Sequence, residues 1–280
     1  MIKPFLVTLV AIAISMAVIR LSRYIPAPRP YKPPLRSRPP VPRPEPGPEL
    51  AQVHARAERA LRMAYFPVVV AGDAGPGASK VSGRPWLPPG EGWPACANCG
   101  RPMQLFLQLA ADELPEPVRA RIGAGNAFQF FYCTAGDCES ECETWEPFAR
   151  SILLRIVPMQ GAPEGGEMLP GMFPPKTITG WEAAEDFPDH EELEALGLDD
   201  DDFELLGDAY PLGGDKLAGW PLWVQGAEYP ACRSCGSRME LLFQLESERI
   251  VPWIFCDMGI GHVTQCPNHP SELAFQWAST

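Results

Sequence analysis

Short apolar or alternating runs follow one another along the chain after residue 66. Runs of this length and pattern predict β-strands, because alternate side chains of a strand point to opposite faces. The runs are PVVVAG, MQLFLQL, FQFFYC, SILLRIVP, KTITGW, PLWVQG, MELLFQL, IVPWIFC and HVTQC. Few helical patterns separate them, so the sequence predicts an α+β fold that is mostly antiparallel β.

Two stretches carry a helical pattern. Apolar residues recur at helical spacing from Leu50 to Ala64, which predicts one amphipathic helix closed by Pro67. A second, acidic helix is predicted at His190–Gly197, and the charged run Asp199–Asp202 after it is typical of a solvated face.

An internal repeat organises the folded part of the chain. A shift of 136 residues lays SKVSGRPWLPPGEGWPACANCGRPMQLFLQL on DKLAGWPLWVQGAEYPACRSCGSRMELLFQL without a gap. Chance does not give matching Lys, Gly, Cys and Met in one register, so the sequence predicts two similar lobes around a shared core, residues 49–165 and 166–280. The matched pairs include Lys80 and Lys216, Gly83 and Gly219, Cys96 and Cys232, Cys99 and Cys235, Met103 and Met239, and Gln108 and Gln244.

The N-terminus is a separate region. Phe5–Ile19 has no charged residue, and its apolar neighbours lengthen it towards the roughly 20 residues that span a bilayer, so residues 1–24 are predicted as a membrane anchor. The alternative is a cleaved secretory signal, which would make the protein secreted or periplasmic. Basic residues crowd the C-terminal flank of the segment and favour a cytoplasmic body. Residues 25–48 are rich in proline and predict a stiff, extended linker.

The charge distribution limits the partners. The net charge is -12, yet the first 50 residues carry eight Lys or Arg against two Glu, which leaves the remainder at -18. Such an acidic body repels nucleic acid, so nucleic-acid binding is not expected. A protein, possibly a basic one, is the more natural charged partner.

Cysteine spacing points to two metal sites. In each lobe a CxxCG turn precedes a strand, and a later strand is followed by a second pair of potential ligands. Zn²⁺ binds four such ligands tetrahedrally, and the glycine frees the backbone of the turn. The expected cofactors are therefore two structural zinc ions. The predicted ligands are Cys96, Cys99, Cys133 and Cys138 in the first site, and Cys232, Cys235, Cys266 and His269 in the second.

Alternatives remain for some cysteines. Four residues separate Cys133 from Cys138, a long gap for such a pair, and Cys142 lies near enough to replace Cys138. In an oxidising compartment the cysteines would form disulfides, but nine is an odd number. Cys256, in an apolar run, is predicted to be a small buried core residue, as are the two repeat methionines Met103 and Met239.

The order of these motifs resembles two known families. The pattern SKxxGxPW, then CxxC, then MxLxLQ, then a strand ending in cysteine resembles the programmed cell death protein 2 family. The second half, from GGDKLAGWPLWVQG to CPNHPSELAFQW, is similar to the YwqG-like bacterial family of unknown function. The first resemblance implies zinc binding and a chaperone role towards a basic ribosomal protein, and the second implies little beyond the fold. The resemblance covers about residues 50–280, and the N-terminal anchor departs from both families.

No enzymatic motif accompanies the metal pattern. The sequence has no GxSxG elbow, Gly-rich phosphate loop or HExxH, and its histidines are scattered. The sequence therefore predicts a membrane-tethered, non-enzymatic zinc protein that binds or chaperones a protein partner. The alternative is a thiol-disulfide oxidoreductase that uses the CxxC pairs, but redox pairs begin a helix, and a strand follows here.

Overall fold

One antiparallel sheet dominates the fold. The computed structural model describes residues 58–163, 168–195, 197 and 211–280. The strands of this part are β1 (Arg62–Ala71), β2 (Lys80–Val81), β3 (Gln104–Ala110), β4 (Asn126–Tyr132), β5 (Ile152–Pro158), β6 (Lys176–Asp186), β7 (Lys216–Ala218), β8 (Glu240–Glu246), β9 (Ile260–Gln265) and β10 (Leu273–Ala278).

All ten of these strands belong to the same sheet, in the spatial order β10-β9-β8-β7-β1-β6-β2-β3-β4-β5. Each neighbouring pair is antiparallel. The two outermost strands, β10 and β5, also lie close to each other, so the sheet curls until it nearly closes. The predicted class, mostly antiparallel β with few helices, is confirmed.

The strand order reads the same from the centre outwards in both directions. β6 is followed by β2, β3, β4 and β5 on one side, and β1 by β7, β8, β9 and β10 on the other. The first strand of each repeat therefore pairs with the second strand of the other repeat. The two repeats share one sheet, and neither completes its half of the sheet alone.

The inner face of the curled sheet holds the main core. Side chains from both repeats meet there: the ring centroids of Phe130 on β4 and Phe275 on β10 are 4.6 Å apart. Phe106 of the first repeat also lies 6.3 Å from Phe255 of the second. Such aromatic pairs bury large apolar areas, so the core ties the repeats together. The fully buried aromatic side chains include Phe106, Phe128, Phe130, Tyr132, Phe243, Phe255 and Phe275.

The helices of the described part are short. They are α1 (Glu116–Ile122), α2 (Gly136–Glu141) and α3 (His190–Ala195), with 3₁₀ turns at Glu58–Ala60 and Ala111–Glu113. The predicted acidic helix is confirmed as α3. The acidic run Asp199–Asp202 lies outside the described residues.

The helix predicted from Leu50 to Ala64 is wrong in its last turn. Residues 50–57 lie outside the described part, but β1 begins at Arg62 and runs to Ala71. This strand pairs with β6 on one side and with β7 on the other. Pairing on both edges outweighs the local helical pattern of the segment.

Two predicted strands, PLWVQG and IVPWIFC, are loops. In both loops, side-chain oxygens accept hydrogen bonds from backbone N–H groups that a strand would donate to its neighbour. Leu222 N–H donates to Gln244 Oε1 at 2.8 Å, and Ile250 N–H donates to Asp215 Oδ2 at 3.0 Å. Proline within each run removes a further donor.

The membrane anchor predicted for residues 1–24 and the linker predicted for residues 25–48 lie outside the described residues. Within the described ranges, no helix has the length and apolar character that crossing a bilayer requires.

Candidate metal centres

A repeated set of hydrogen bonds holds the chain that leads into each cysteine turn. In the first repeat, the carboxylate of Asp73, between β1 and β2, accepts from Lys80 Nζ at 2.6 Å and from the backbone of Arg84 at 2.9 Å. In the second repeat, Asp186 at the end of β6 accepts from Lys216 Nζ at 2.8 Å and from the backbone of Trp220 at 2.8 Å. The two repeats therefore have the same local geometry beyond the cysteines as well.

The repeat glutamines provide a second anchor. Gln108 Oε1 on β3 accepts from the backbone of Trp86 at 2.7 Å, and Gln244 Oε1 on β8 accepts from Leu222 at 2.8 Å. Both glutamines are fully buried. They fix the loop that runs from the short strand towards the cysteine turn.

Each CxxCG segment is a tight turn closed by backbone hydrogen bonds. In the first repeat, Cys96 N–H donates to Arg101 O at 2.8 Å, and Gly100 N–H donates to Cys96 O at 2.9 Å. Gly100 has a φ of 70°, a conformation in which a side chain would be strained. The turn lies directly before β3, and this local geometry brings both cysteines of the pair to one side.

The second turn reproduces the first. Cys232 N–H donates to Ser237 O at 2.9 Å, and Gly236 N–H donates to Cys232 O at 2.8 Å. Gly236 has a φ of 71°. The same backbone therefore precedes β8.

The first centre gathers four cysteines, all of them predicted from the sequence. The sulfur atoms of Cys96, Cys99, Cys133 and Cys138 lie within 4.8 Å of one another. Two short distances join the turn to the later pair: Cys96 Sγ is 3.6 Å from Cys138 Sγ, and Cys99 Sγ is 3.6 Å from Cys133 Sγ. Cys133 directly follows β4, whereas Cys138 lies on α2.

The second centre gathers three cysteines and a histidine, again as predicted. The Sγ atoms of Cys232, Cys235 and Cys266 and a ring nitrogen of His269 lie within 4.8 Å of one another. Cys235 Sγ is 3.7 Å from Cys266 Sγ, and His269 Nδ1 is 3.9 Å from Cys232 Sγ. Cys266 directly follows β9, as Cys133 follows β4.

The spacing of the donor atoms fits one tetrahedral ion in each centre. With a Zn–S bond of about 2.3 Å, the sulfur atoms of a tetrahedral site are about 3.8 Å apart. The observed distances of 3.6 and 3.7 Å are close to this value. They are too long for a disulfide bond of about 2.05 Å, and all nine cysteines are free thiols.

Burial and hydrogen bonding give the thiols unequal acidity. Burial raises the pKa of Cys133 to about 12 and also raises the pKa of Cys138. In the second centre, contact with the Ser237 side chain lowers the pKa of exposed Cys235 to about 6. Metal ligation requires all the thiols as thiolates, and a bound dication supplies the charge that makes this favourable.

Polar neighbours brace the first centre. Asn98 lies within the turn, and its backbone N–H and its Nδ2 are each 3.4 Å from a sulfur atom, of Cys96 and Cys138 respectively. Arg101 and Asp137 form two hydrogen bonds of 2.5 Å, which link the turn to α2. Groups of this kind orient ligands in metal sites.

Polar neighbours also surround the second centre. Ser234 donates to Glu272 Oε1 at 2.6 Å, and Asn268 Nδ2 donates to Ser237 Oγ at 3.1 Å. The cysteine turn and the loop after β9 are thereby joined.

Cys142 is a further thiol near the first centre. It caps α2, and its sulfur atom is 3.9 Å from Cys138 Sγ. It is not one of the four residues whose sulfur atoms are mutually close. The geometry therefore favours Cys138 as the fourth donor.

Cys256 lies in neither group. The prediction that it is buried in the core is wrong: it is exposed, and its φ of 51° lies in the left-handed region of a turn. The two repeat methionines, by contrast, are buried as predicted, and each packs beside its cysteine cluster.

The sequence did not reveal α2. This helix, from Gly136 to Glu141, brings Cys138 back towards the turn and explains the long gap after Cys133. Six residues are too few to show a helical period, so no sequence signal marked it.

Comparison with known proteins gives a family without a known function. The family model described as a domain of unknown function (DUF1963) matches residues 79–275, so the chain belongs to this family. The match includes both cysteine turns and every predicted ligand. No curated protein matches the chain.

Proposed function

We propose that this DUF1963 protein is a non-enzymatic binding domain in which a structural zinc ion stabilises each of the two repeats. The observation that carries the proposal is the pair of four-donor clusters, each with its ligand atoms within 4.8 Å. The motif order that resembles the YwqG-like and programmed cell death protein 2 families supports the same assignment. The expected ligands are those predicted from the sequence.

The donor sets favour a structural role for the metal. Catalytic zinc sites keep one position open for water or substrate, whereas structural sites have four protein ligands. Each cluster offers four, and in the first one Cys96, Cys133 and Cys138 are buried. The ions would link each cysteine turn to the end of the strand beside it.

The contacts of the thiols argue against the alternative of a thiol-disulfide oxidoreductase. In a redox CxxC pair the two thiols of the motif react with each other. Here each of these thiols also contacts a thiol outside its motif: Cys99 Sγ is 3.6 Å from Cys133 Sγ, and Cys235 Sγ is 3.7 Å from Cys266 Sγ. A strand, rather than a helix that would stabilise a thiolate, follows each turn.

An exposed patch on β1 supports binding of a protein partner. Val68 and Val70 are 39% and 49% exposed on the central strand of the sheet. The neighbouring strand β6 adds the exposed carboxylate of Glu182. An apolar pair beside an acidic group suits a partner with an apolar and basic surface, in agreement with the acidic charge of the body.

Capture of partners from the native membrane fraction tests this role. We expect the full-length protein to retain a basic protein that the double variant Val68→Ser/Val70→Ser does not retain. Equal capture by both proteins would exclude this patch as the binding surface.

The proposal includes a membrane tether with a cytoplasmic body. It rests on the uncharged segment Phe5–Ile19 and on the basic residues that follow it. A reporter fused after Thr280 should be active in the cytoplasm. Cleavage of the body by protease added outside intact cells would reverse the orientation.

Metal substitution tests the zinc assignment. Cobalt(II) in a tetrahedral thiolate site gives intense visible absorption and a sulfur-to-metal charge-transfer band. We expect both signatures from the cobalt-loaded protein, with different spectra for the all-cysteine centre and the centre with His269. Weak absorption typical of octahedral cobalt would contradict the proposed ligand sets.

A further inference from the structure

A cleft opens between β1 and β8 at the point where the short strand β7 ends. Its volume is about 300 Å³, near the lower end for sites that bind small molecules. Its walls are both apolar and charged. They include Arg62, Met63, Tyr65, Arg121, Glu240 and Leu241.

Two arginines line this cleft. Arg121 reaches it from α1 and is held in place, because Nε donates to Gln265 Oε1 at 3.0 Å and Nη1 donates to Leu241 O at 2.9 Å. Arg62 stacks over the ring of Trp220 at 3.5 Å. Within the described part of the chain, neither guanidinium forms an ion pair.

The charges of the cleft influence one another. Burial lowers the pKa of Arg121; the carboxylate of Glu240 opposes this shift, and the charge of Arg62 adds to it. Two positive groups and one negative group therefore share the cleft, which leaves one positive charge in excess.

The internal repeat shows what occupies the equivalent place in the first half. Leu217 lies opposite Tyr65, and its counterpart Val81 lies opposite Lys176. Tyr65 and Lys176 are therefore counterparts. Arg62 and Phe173, each three residues earlier in the chain, are counterparts as well. By the 136-residue shift, Gln104 is the counterpart of Glu240, and Ser82 that of Ala218.

In the first repeat this place is filled, and Lys176, the counterpart of Tyr65, donates to Ile250 O at 2.6 Å. Gln104 Nε2 donates to Gly171 O at 3.0 Å, and Gln104 Oε1 accepts from Phe173 N–H at 3.0 Å. Ser82 Oγ donates to Phe173 O at 2.5 Å, and the Phe173 ring packs on the main core.

The second repeat has none of these filling contacts. Arg62 replaces the aromatic ring, Glu240 replaces the amide that held the loop, and Ala218 replaces the serine hydroxyl. Helix α1, in the connection between β3 and β4, adds Arg121, and the equivalent connection between β8 and β9 has no helix. The same position of the fold is thus filled by an aromatic ring and an amide in one repeat, and is an open cleft with Arg62 and Glu240 in the other.

We propose that this cleft binds a small carboxylate with an apolar body. A guanidinium matches a carboxylate with two parallel hydrogen bonds, and Arg62 and Arg121 would hold the anion between them. Met63, Tyr65 and Leu241 would contact the apolar part. The single excess positive charge favours a monoanion over a phosphate dianion, which Glu240 would repel. The carboxylate belongs either to a free organic acid or to the C-terminal residue of a peptide.

Phenylacetate is a suitable probe, with phenylacetamide as its neutral match. We expect phenylacetate to bind the full-length, metal-loaded protein in calorimetric titration with millimolar or better affinity, and the amide to bind at least about tenfold more weakly. Inorganic phosphate should not compete. A tetrapeptide ending in phenylalanine, with a free or an amidated C-terminus, distinguishes the two sources: tighter binding of the free-acid peptide than of phenylacetate indicates a peptide ligand.

Variants at the two exchanged positions test the site itself. Arg62→Gln should weaken phenylacetate binding about tenfold or more, whereas Glu240→Gln should tighten it and admit phosphate. The double variant Arg62→Phe/Glu240→Gln introduces the residues of the first repeat and should abolish binding. Metal content and the urea midpoint of each variant establish that it is folded.

Three results would overturn the proposal. They are the absence of phenylacetate binding at millimolar concentration, equal binding of phenylacetate and phenylacetamide, and unchanged phenylacetate affinity in folded Arg62→Gln. Because none of the residues that line the cleft is a predicted metal ligand, the zinc assignment does not depend on these results.

Discussion

Lys80 and Lys216 hold equivalent positions in the two repeats, and the side chains of both are fully buried against an aspartate. Their partners differ in exposure: Asp73 is 15% exposed, whereas Asp186 is fully buried. A buried charge that loses its partner is costly, and water can reach only the first pair.

The variant Asp186→Asn should therefore lower the free energy of unfolding by about 3–5 kcal/mol, since it leaves Lys216 buried without a counter-charge. Asp73→Asn is the matched control and should cost clearly less. Urea unfolding of the two metal-loaded variants measures the difference. Equal, small losses would mean that the Lys216 ion pair does not stabilise the fold.

The buried His262 makes stability depend on pH. Burial lowers its pKa from 6.5 to about 3, and its Nε2 lies 3.1 Å from Leu222 O. Between these two pH values the unfolded chain binds a proton that the folded protein excludes. Stability should therefore be lost as the pH falls from 6.5 towards 3, by up to about 1.4 kcal/mol per pH unit.

The first repeat supplies the control for this prediction. Gln129 pairs with Gln108 as His262 pairs with Gln244, so Gln129 is the counterpart of His262. Its Nε2 donates to Trp86 O at 2.6 Å. The variant His262→Gln should form the equivalent hydrogen bond to Leu222 O, and its stability should depend less on pH. Burial raises the pKa of Asp215 to about 7, which gives a loss of stability as the pH rises from about 4 to 7, the opposite trend. This contribution is common to both proteins, so parallel profiles would refute the role of His262.

The fourth ligand of the second centre can be tested with one pair of variants. His269→Ala should lower the zinc content by one ion per chain or destabilise the second repeat, because it removes a donor that lies 3.8 Å from Cys266 Sγ. Cys256→Ala should leave zinc unchanged and alter stability by less than about 0.5 kcal/mol, because Cys256 is exposed. Loss of zinc in Cys256→Ala would contradict the ligand assignment.

The first centre allows the same comparison on one helix. Cys138→Ala should lower the zinc content or the metal affinity, because Cys138 Sγ belongs to the group of mutually close donors. Cys142→Ala should have no such effect. If Cys142→Ala lost metal and Cys138→Ala kept it, the alternative ligand would be the correct one.

The sequence predicted the two clusters of donor residues better than it predicted the course of the chain around them. Turn spacing is local, and a CxxCG turn brings its own ligands together. The second pair of each site depends on long-range pairing, yet the repeat allowed Cys133 and Cys266 to be placed after equivalent strands. The choice of Cys138 over Cys142 needed α2, which is too short to leave a periodic signal.

The errors in the fold have a common cause. Apolar runs at 221–226 and 250–256 satisfied the strand pattern, but buried side chains such as Gln244 and Asp215 take their backbone N–H groups. The end of the predicted helix at Leu50–Ala64 became β1 because β6 and β7 flank it. Contacts distant in sequence decided both outcomes, and the exchange of first strands between the repeats was not readable from the sequence for the same reason.

Metal stoichiometry of the full-length protein tests the central claim most directly. Structural zinc in model peptides contributes an apparent roughly 10–16 kcal/mol per site, comparable with the total stability of a domain, so each ion should stay bound through purification. Elemental analysis should give two zinc ions per chain, and their removal by a chelator should unfold or loosen the protein. A well-folded, fully reduced sample without zinc or another tetrahedral metal would contradict the account.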